Sequence, residues 1–200
     1  GKALMEYIDN SFDSADDFFN PNGLYDRKVE IKLTIDRDKR TISIQDNCGG
    51  MNLNILRGLA DSINDSEKKR REQKRPWVNG EFGLGAHAFR FFAQKLTVIT
   101  KQSIGDQIVI LIDRNDHNAQ RVQLEDKDIG QSGTIVELSG IDTTDMKNLK
   151  PDELKKEIET YFEMLLRRNV EITIIDGELQ AVCVPFNYDE VNGISIQKEI

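Results

Sequence analysis

The chain has 200 residues, of which 38% are hydrophobic, and this size and composition fit one domain with a sizeable core. Its formal net charge of −8 disfavours general binding to nucleic acid, and its two cysteines and two histidines support neither a disulfide framework nor a zinc cluster. No apolar run reaches the roughly 18 residues of a membrane span and no secretory signal opens the sequence, so we expect a soluble cytoplasmic protein without membrane contact.

The first element predicted along the chain is a helix over residues 3–19. Its apolar residues recur at spacings of three or four positions: Leu4, Ile8, Phe12, Ala15 and Phe19. The sequence NPNG then ends the helix. The alternating runs KVEIKLTI and RTISIQ predict two strands of a β-hairpin, joined by the turn DRDK. A short helix is expected after Asn52.

The rest of the chain begins with residues 62–79, which are polar and lack apolar periodicity, so they favour a functional lid or a disordered segment. A glycine-rich turn then leads into an apolar helix, and strands are predicted at KLTVIT, DQIVILID, RVQLE and GTIVELS. Pro151 begins a helix predicted over residues 151–168, and VEITII, DGELQAVCV and ISIQKEI are predicted as the last strands. Because strands mostly follow one another and helices come in groups, the expected fold class is an α+β two-layer sandwich.

An acidic stripe is predicted on the first helix. At about 100° per residue, Glu6, Asn10, Asp13 and Asp17 fall within a narrow arc roughly opposite the apolar stripe. Residues 3–26 contain no lysine or arginine, whereas a solvated helix face usually mixes charges of both signs. Carboxylates gathered around one amide suggest a site for Mg²⁺ and water, with a purely solvated face as the alternative.

Two glycine-containing turns are candidates for ligand binding. GEFGLG is neither a Walker sequence nor a dinucleotide fingerprint, yet its glycines would allow backbone amides to approach a phosphate at a helix N-terminus. Ordinary helix entry is the alternative. In SIQDNCGGMN, Asp46 ends a predicted strand immediately before two glycines, so this stretch is either a plain turn or an acidic group at the mouth of a pocket.

Four motifs occur in a fixed order: MEYIDNSFDSA, IQDNCGGM, GEFGLGAHAF and SGTIVEL. Together they resemble the GHKL superfamily of ATPases, which includes gyrase-type topoisomerases, heat-shock chaperones, histidine kinases and MutL-type proteins. The resemblance covers residues 3–184 and is strongest to chaperone-like and MORC-like members. It implies the Bergerat fold, with helices on one face of a mixed, mostly antiparallel sheet and an ATP lid at 62–79. We therefore expect one ATP-binding domain over residues 1–185, followed by a tail or the start of a transducer-like domain at 186–200.

The resemblance also implies roles for individual residues. Glu6 corresponds to the carboxylate that activates the attacking water, and Asn10 corresponds to the Mg²⁺ ligand. Asp46 corresponds to the acceptor for the adenine amine, with Thr134 as its partner through water. The remaining implied nucleotide-binding residues lie near the sugar, the base or the phosphates: Asp13, Gly50, Met51, Gly80, Phe82, Gly83, Leu84, Gly85 and Ala86.

The second motif departs from the family pattern D-x-G-x-G, because Cys48 stands at the first glycine position. We expect Gly49 to take over the conformational role of that glycine. Cys48 itself is predicted to be a small packing side chain and not a reactive thiol.

The implied function is ATP binding and slow Mg²⁺-dependent hydrolysis, acting as a conformational switch with an ATP-gated homodimer. Activity should be weak, because in relatives the lysine or arginine for the γ-phosphate comes from a following domain. One alternative is an ATP sensor or scaffold without hydrolysis. Another is a MORC-like or MutL-like ATPase that contacts DNA through KKRREQKR (Lys68 to Arg75), which is otherwise a solvated surface. A histidine kinase is disfavoured, because those kinases lack a carboxylate at the position of Glu6.

Overall fold

A computed structural model describes residues 2–56, 89–116, 120–122 and 129–188. Its strands are β1 (Val29–Asp36), β2 (Thr41–Asp46), β3 (Lys95–Lys101), β4 (Ile108–Asp113), β5 (Gln120–Val122), β6 (Gly133–Ser139), β7 (Val170–Asp176) and β8 (Leu179–Cys183). The α-helices that lie wholly within the described residues are α1 (Lys2–Asp13), α2 (Thr143–Asn148), α3 (Pro151–Tyr161) and α4 (Glu163–Leu166), and two short 3₁₀ helices there span Asp16–Phe18 and Phe89–Phe91.

All eight strands form one sheet in the order β5-β4-β3-β6-β2-β1-β7-β8. The predicted hairpin is present, since Asp36 of β1 pairs with Thr41 of β2 in antiparallel register. Strands β1 and β7 run parallel, and the other described neighbours are antiparallel. The prediction of a mixed, mostly antiparallel sheet is therefore confirmed.

The core lies between the sheet and the helices, as the alternation along β1 illustrates. Its buried side chains are Val29, Ile31, Leu33 and Ile35. Strand residues that alternate in this way point to one face of the sheet, and the apolar faces of α1 and α3 pack into the same cluster. Each such side chain contributes roughly 1.5–3 kcal/mol on burial, so this layer stabilises the α+β two-layer sandwich.

The first helix is shorter than predicted. It ends at Asp13 and not at residue 19, because the Ser14 carbonyl accepts the Gly49 N–H (3.2 Å) in place of a helical partner. A 3₁₀ turn follows, so Asp17 does not continue the helical arc of Glu6, Asn10 and Asp13. Phe19, predicted to be part of the apolar stripe, is 40% exposed.

The helix predicted over 151–168 is also wrong in extent. It is interrupted at Phe162, whose φ of −107° and ψ of 20° separate α3 from α4. Phe162 is buried against Phe12, with 5.2 Å between ring centroids, so tertiary packing decides the break. Helix α2 was not predicted, although Asp142 caps it by accepting the Thr144 N–H.

Residues 57–88 and 189–200 lie outside the described residues. They include the predicted lid, the basic run Lys68 to Arg75, the glycine-rich turn and most of the predicted tail, so the domain boundary at 185 stays a prediction. The short helix expected after Asn52 is present at residues 53–56. Within the described ranges, no helix has the length and apolar character needed to cross a bilayer.

Candidate functional site

Three polar side chains interrupt the apolar face of the sheet at one end. Asp46, Thr134 and Thr100 are direct cross-strand neighbours on β2, β6 and β3. They are only 6%, 3% and 0% exposed, respectively. Burial of polar groups costs free energy unless hydrogen bonds replace water, so this row requires a network of partners.

Three N–H or O–H groups donate hydrogen bonds to the Asp46 carboxylate. Oδ1 accepts the N–H groups of Cys48 (2.9 Å) and Thr134 (3.1 Å), and Oδ2 accepts the Ser11 hydroxyl (2.9 Å). A carboxylate offers about four acceptor positions, so one position on Oδ2 is left for a further donor. Ser11 lies on α1 and was not predicted from the sequence; the available signal was its position three residues after Ile8 of the predicted apolar stripe.

Burial raises the pKa of the Asp46 carboxyl above its ordinary value. Hydrogen bonds from the Cys48 N–H, Ser11, the Thr134 N–H and the Cys48 side chain act in the opposite direction, because they stabilise the ionised form. A ligand that donated a further hydrogen bond to Oδ2 would lower the pKa in the same way.

Thr100 connects the row to the turn after β2. Its hydroxyl accepts the Met51 N–H (2.8 Å), lies 3.0 Å from the Thr134 hydroxyl, and also lies 3.2 Å from the Gly133 carbonyl. The sequence prediction did not identify Thr100. The available signal was its position at the end of KLTVIT, two residues after Val98 on the side of the strand that faces the core.

Two glycines allow the backbone segments of the site to approach each other. Gly50 has φ +71°, and a Cβ there would lie 2.1 Å from the Lys101 carbonyl oxygen. Gly133 has φ +143°, and a Cβ there would lie 2.2 Å from the Asp46 carbonyl oxygen. Any larger residue at either position would displace the turn or the start of β6.

Cys48 is fully buried beside Asp46. Burial raises the pKa of its thiol, and the negative charge of Asp46 raises it further, which agrees with a packing role. The expectation for Gly49 was wrong, because the positive φ belongs to Gly50 and not to Gly49. Gly49 instead permits close contact with Ser14, directly after α1, since a Cβ there would lie 3.1 Å from the Ser14 carbonyl oxygen.

The predicted residues Glu6, Asn10 and Asp13 lie on α1, the helix that also carries Ser11. Glu6 and Asp13 are exposed, and Asn10 is half-buried, one residue before Ser11. The Ser11 hydrogen bond to Asp46 therefore fixes the helix that carries them relative to the end of β2.

Negative charge accumulates at the C-terminal end of α1. Desolvation raises the pKa of Asp13, and the like charges of Asp9 and Asp16 raise it further. Desolvation also raises the pKa of Asp9. Within the described part of the chain, no cluster of histidine, cysteine, aspartate or glutamate side chains could hold a metal ion by itself.

The structure thus joins Asp46, Thr134, Gly50 and Met51 into one region through Thr100 and Gly133. The predicted phosphate-loop residues fall in the part of the chain that is not described: Gly80, Phe82, Gly83, Leu84, Gly85 and Ala86.

The sequence is similar to several chaperone proteins named HtpG. It is 27% identical to that of Campylobacter jejuni subsp. doylei over 150 residues, which cover 68% of this chain and 24% of the relative. The corresponding values for Idiomarina loihiensis are 27% over 175 residues, with 81% and 27% covered. For Salmonella paratyphi A they are 35% over 118 residues, with 52% and 19% covered. The matched part of the chain thus spans about a quarter of these relatives or less.

The fold is similar to that in the crystal structure of the 43K ATPase domain of Thermus thermophilus gyrase B in complex with an aminocoumarin. The TM-score is 0.60 at 15% sequence identity, and the match covers 92% of this chain and 45% of that chain. The sequence profile of the family described as "Histidine kinase-, DNA gyrase B-, and HSP90-like ATPase" matches residues 1–145. The chain therefore belongs to this ATPase family, which confirms the predicted GHKL superfamily, and the HtpG relatives support a chaperone-like subtype.

Proposed function

We propose that this chain binds ATP and hydrolyses it slowly with Mg²⁺, and that the nucleotide state switches the conformation and dimerisation of the full-length protein. The observation that carries the proposal is the buried Asp46 carboxylate, which has one acceptor position left on Oδ2. Membership of an ATPase family supports the nucleotide class.

The chemistry of Asp46 favours adenine over guanine. The 6-amino group of adenine is a hydrogen-bond donor and would satisfy the remaining position on Oδ2. Guanine carries a carbonyl oxygen at the corresponding place, and two acceptors facing each other in a buried site repel. Thr134 lies beside Asp46 and would contact the neighbouring ring nitrogen through water.

The residues near Asn10 fit a magnesium ion shared with the phosphates. Among the described residues the Asn10 side chain has no hydrogen-bond partner, so its oxygen is available as a ligand. Mg²⁺ commonly takes one or two protein oxygens and completes its shell with water and phosphate, which suits a site without its own carboxylate cluster. When bound, the ion would neutralise charge on the phosphates.

Glu6 is the proposed general base. It precedes Asn10 by four residues on α1, so both side chains lie on the same side of the helix. An ionised carboxylate there would accept a proton from water as the water attacks the γ-phosphorus and the bond to the β-phosphate oxygen breaks.

The substitution Glu6→Gln tests the proposal. The ATP dissociation constant should change by less than about twofold, while phosphate release should fall about 100-fold or more, because an amide cannot accept the proton. Glu157→Gln is the matched control, since Glu157 is an exposed acid of α3 that lines the same surface groove as Glu6. The control should keep both binding and turnover.

Sedimentation of full-length Glu6→Gln with ATP tests the switch, because a bound but uncleaved nucleotide should hold the dimer. Unchanged turnover in Glu6→Gln would exclude Glu6 as the base. If the wild-type full-length protein binds ATP and releases no phosphate above background, a nucleotide sensor without hydrolysis is the correct function.

A further inference from the structure

We infer that Thr100 is a positioning residue for nucleotide recognition: its hydroxyl fixes both the Thr134 hydroxyl and the turn that carries Met51. This inference rests on the proposed function, because it assigns the residue that supports the base-reading pair Asp46 and Thr134. Thr100 itself lies behind Thr134, one strand further from Asp46.

The hydrogen-bond inventory of Thr100 is fully used. A hydroxyl has one proton and two acceptor lone pairs. The Met51 N–H can only donate, so it takes one lone pair, and the Gly133 carbonyl can only accept. The Thr134 hydroxyl at 3.0 Å can do either. Thr100 can therefore give its single proton either to the Gly133 carbonyl or to Thr134, and only the first arrangement uses all three contacts.

The two arrangements give the Thr134 hydroxyl opposite hydrogen-bonding roles. If the Thr100 proton goes to the Gly133 carbonyl, Thr134 donates to Thr100 and offers only lone pairs to a ligand. If the Thr100 proton goes to Thr134 instead, the Thr134 proton is free for a ligand or a bridging water. The proposed bridging water can donate to the ring nitrogen and pair with Thr134 in either arrangement, so in both of them Thr100 sets the position of the Thr134 hydroxyl.

The same hydroxyl anchors the turn after β2. Met51 packs against the core cluster beside the site. Without the Thr100 hydroxyl, the partly buried Met51 N–H would lose its acceptor. The contact is also directed by Gly50, because only glycine allows the turn to approach the end of β3 so closely. Thr100 therefore holds the turn at the point where the glycine brings it into contact.

If position 100 served packing alone, a valine there would fill the same space. Leu96 and Val98 precede Thr100 on the same face of β3, and both are apolar and buried. A hydroxyl in such a row needs partners that replace water, and the partners of Thr100 are groups of the candidate site.

The test compares Thr100→Val, which keeps the shape, with Thr100→Ser, which keeps the hydroxyl. Calorimetry should show that the Val variant binds a non-hydrolysable ATP analogue about tenfold more weakly, as expected when a buried N–H and a hydroxyl lose their partner. The Ser variant should bind within about threefold of wild type. Thr97→Val is the matched control, since Thr97 is a buried threonine of β3 on the opposite face.

A second nucleotide distinguishes the role of Thr100 from the role of Asp46. The triphosphate of purine riboside keeps the ring nitrogen of ATP but lacks its 6-amino group. Thr100→Val should weaken the binding of both nucleotides by the same factor, whereas Asp46→Asn should remove the preference for ATP. Equal ATP affinity in wild type and Thr100→Val, or failure of Ser to rescue, overturns the inference.

Amide hydrogen exchange of Met51 keeps the two proposals distinguishable. Exchange should be at least about tenfold faster in Thr100→Val than in wild type and nearly unchanged in Thr100→Ser, in the absence of nucleotide. Wild-type protein that does not bind ATP would refute the proposed function, and the exchange rates would still decide whether Thr100 holds the turn. Unaltered Met51 exchange in Thr100→Val would refute the anchoring role by itself.

Discussion

The substitution Asp46→Asn changes one oxygen of the buried carboxylate to an amide nitrogen and should separate binding from folding. The remaining oxygen can still accept the N–H groups of Cys48 and Thr134, as Oδ1 does in the native chain. The new NH₂ group then occupies the place of Oδ2 and can donate to the Ser11 oxygen. All the protein partners stay satisfied, so we expect the fold to persist.

The expected loss of ATP affinity follows from the one hydrogen-bonding position that changes from an acceptor to a donor. In the native chain the free position on Oδ2 accepts a donor, whereas the amide presents a second N–H to the adenine amine. Two donors facing each other in a buried site cost about 2 kcal/mol, which corresponds to roughly 30-fold weaker ATP binding.

Asp46→Asn should weaken ATP binding, but it should not lower the stability of the fold. Burial raises the pKa of Asp46 in the folded state, so the native chain binds this proton more tightly than the unfolded chain. This contribution is most favourable below the ordinary aspartate pKa, and it declines as pH rises from that value through the raised pKa. Asparagine carries no charge, so Asp46→Asn should be at least as stable as wild type at pH 7.

Calorimetry with a non-hydrolysable ATP analogue and thermal unfolding between pH 4 and 8 measure both effects. Asp36→Asn is the control, because Asp36 ends β1 at the opposite end of the hairpin, and its pKa is lowered by the Lys39 N–H. That variant should keep its ATP affinity. Unchanged ATP affinity in Asp46→Asn would show that Asp46 does not read the base.

Two further predictions concern the turn after β2. Gly50→Ala should lower the melting temperature and weaken ATP binding, because its Cβ would lie 2.1 Å from the Lys101 carbonyl oxygen. Gly105→Ala is the control for backbone strain alone, since Gly105 has φ +127° and a Cβ there would meet no atom within 4 Å. Equal losses in both variants would show that the close approach is unimportant. At pH 8, Cys48 should react with a thiol reagent at least about 100-fold more slowly in the native chain than in the unfolded chain, because burial raises its pKa. Fast labelling of Cys48 in the native chain, measured by mass spectrometry, would contradict the packing role.

The strands and the position of Asp46 could be predicted from the sequence because both depend on local patterns. Alternation in KVEIKLTI and RTISIQ sets which side chains face the core, and Asp46 continues the inward series of Ile42 and Ile44. An acid in that series must be either satisfied or functional. The pattern therefore identified the position before the partners were known.

The partners of Asp46 could not be predicted in the same way, because they depend on strand register and helix docking. Ser11 reaches Asp46 only because α1 lies across β2, and Thr100 reaches Thr134 only because β3 and β6 pair in one particular register. A shift of one residue would turn Thr100 to the opposite face. The end of α1 depends on a similar contact, the hydrogen bond from Gly49 to Ser14.

The distinction between local pattern and tertiary contact also explains why Cys48 can replace the first glycine of the second motif. The residues with positive φ in this turn do not include position 48, and the close approach to β3 is made at Gly50. Position 48 therefore needs a small side chain that fits a fully buried space, and a thiol meets that need. The backbone N–H of Cys48 still donates to Asp46, and no side chain is required for that bond. The departure from the family pattern thus keeps the backbone hydrogen bond to Asp46 and adds a buried thiol that packs and interacts with the carboxylate.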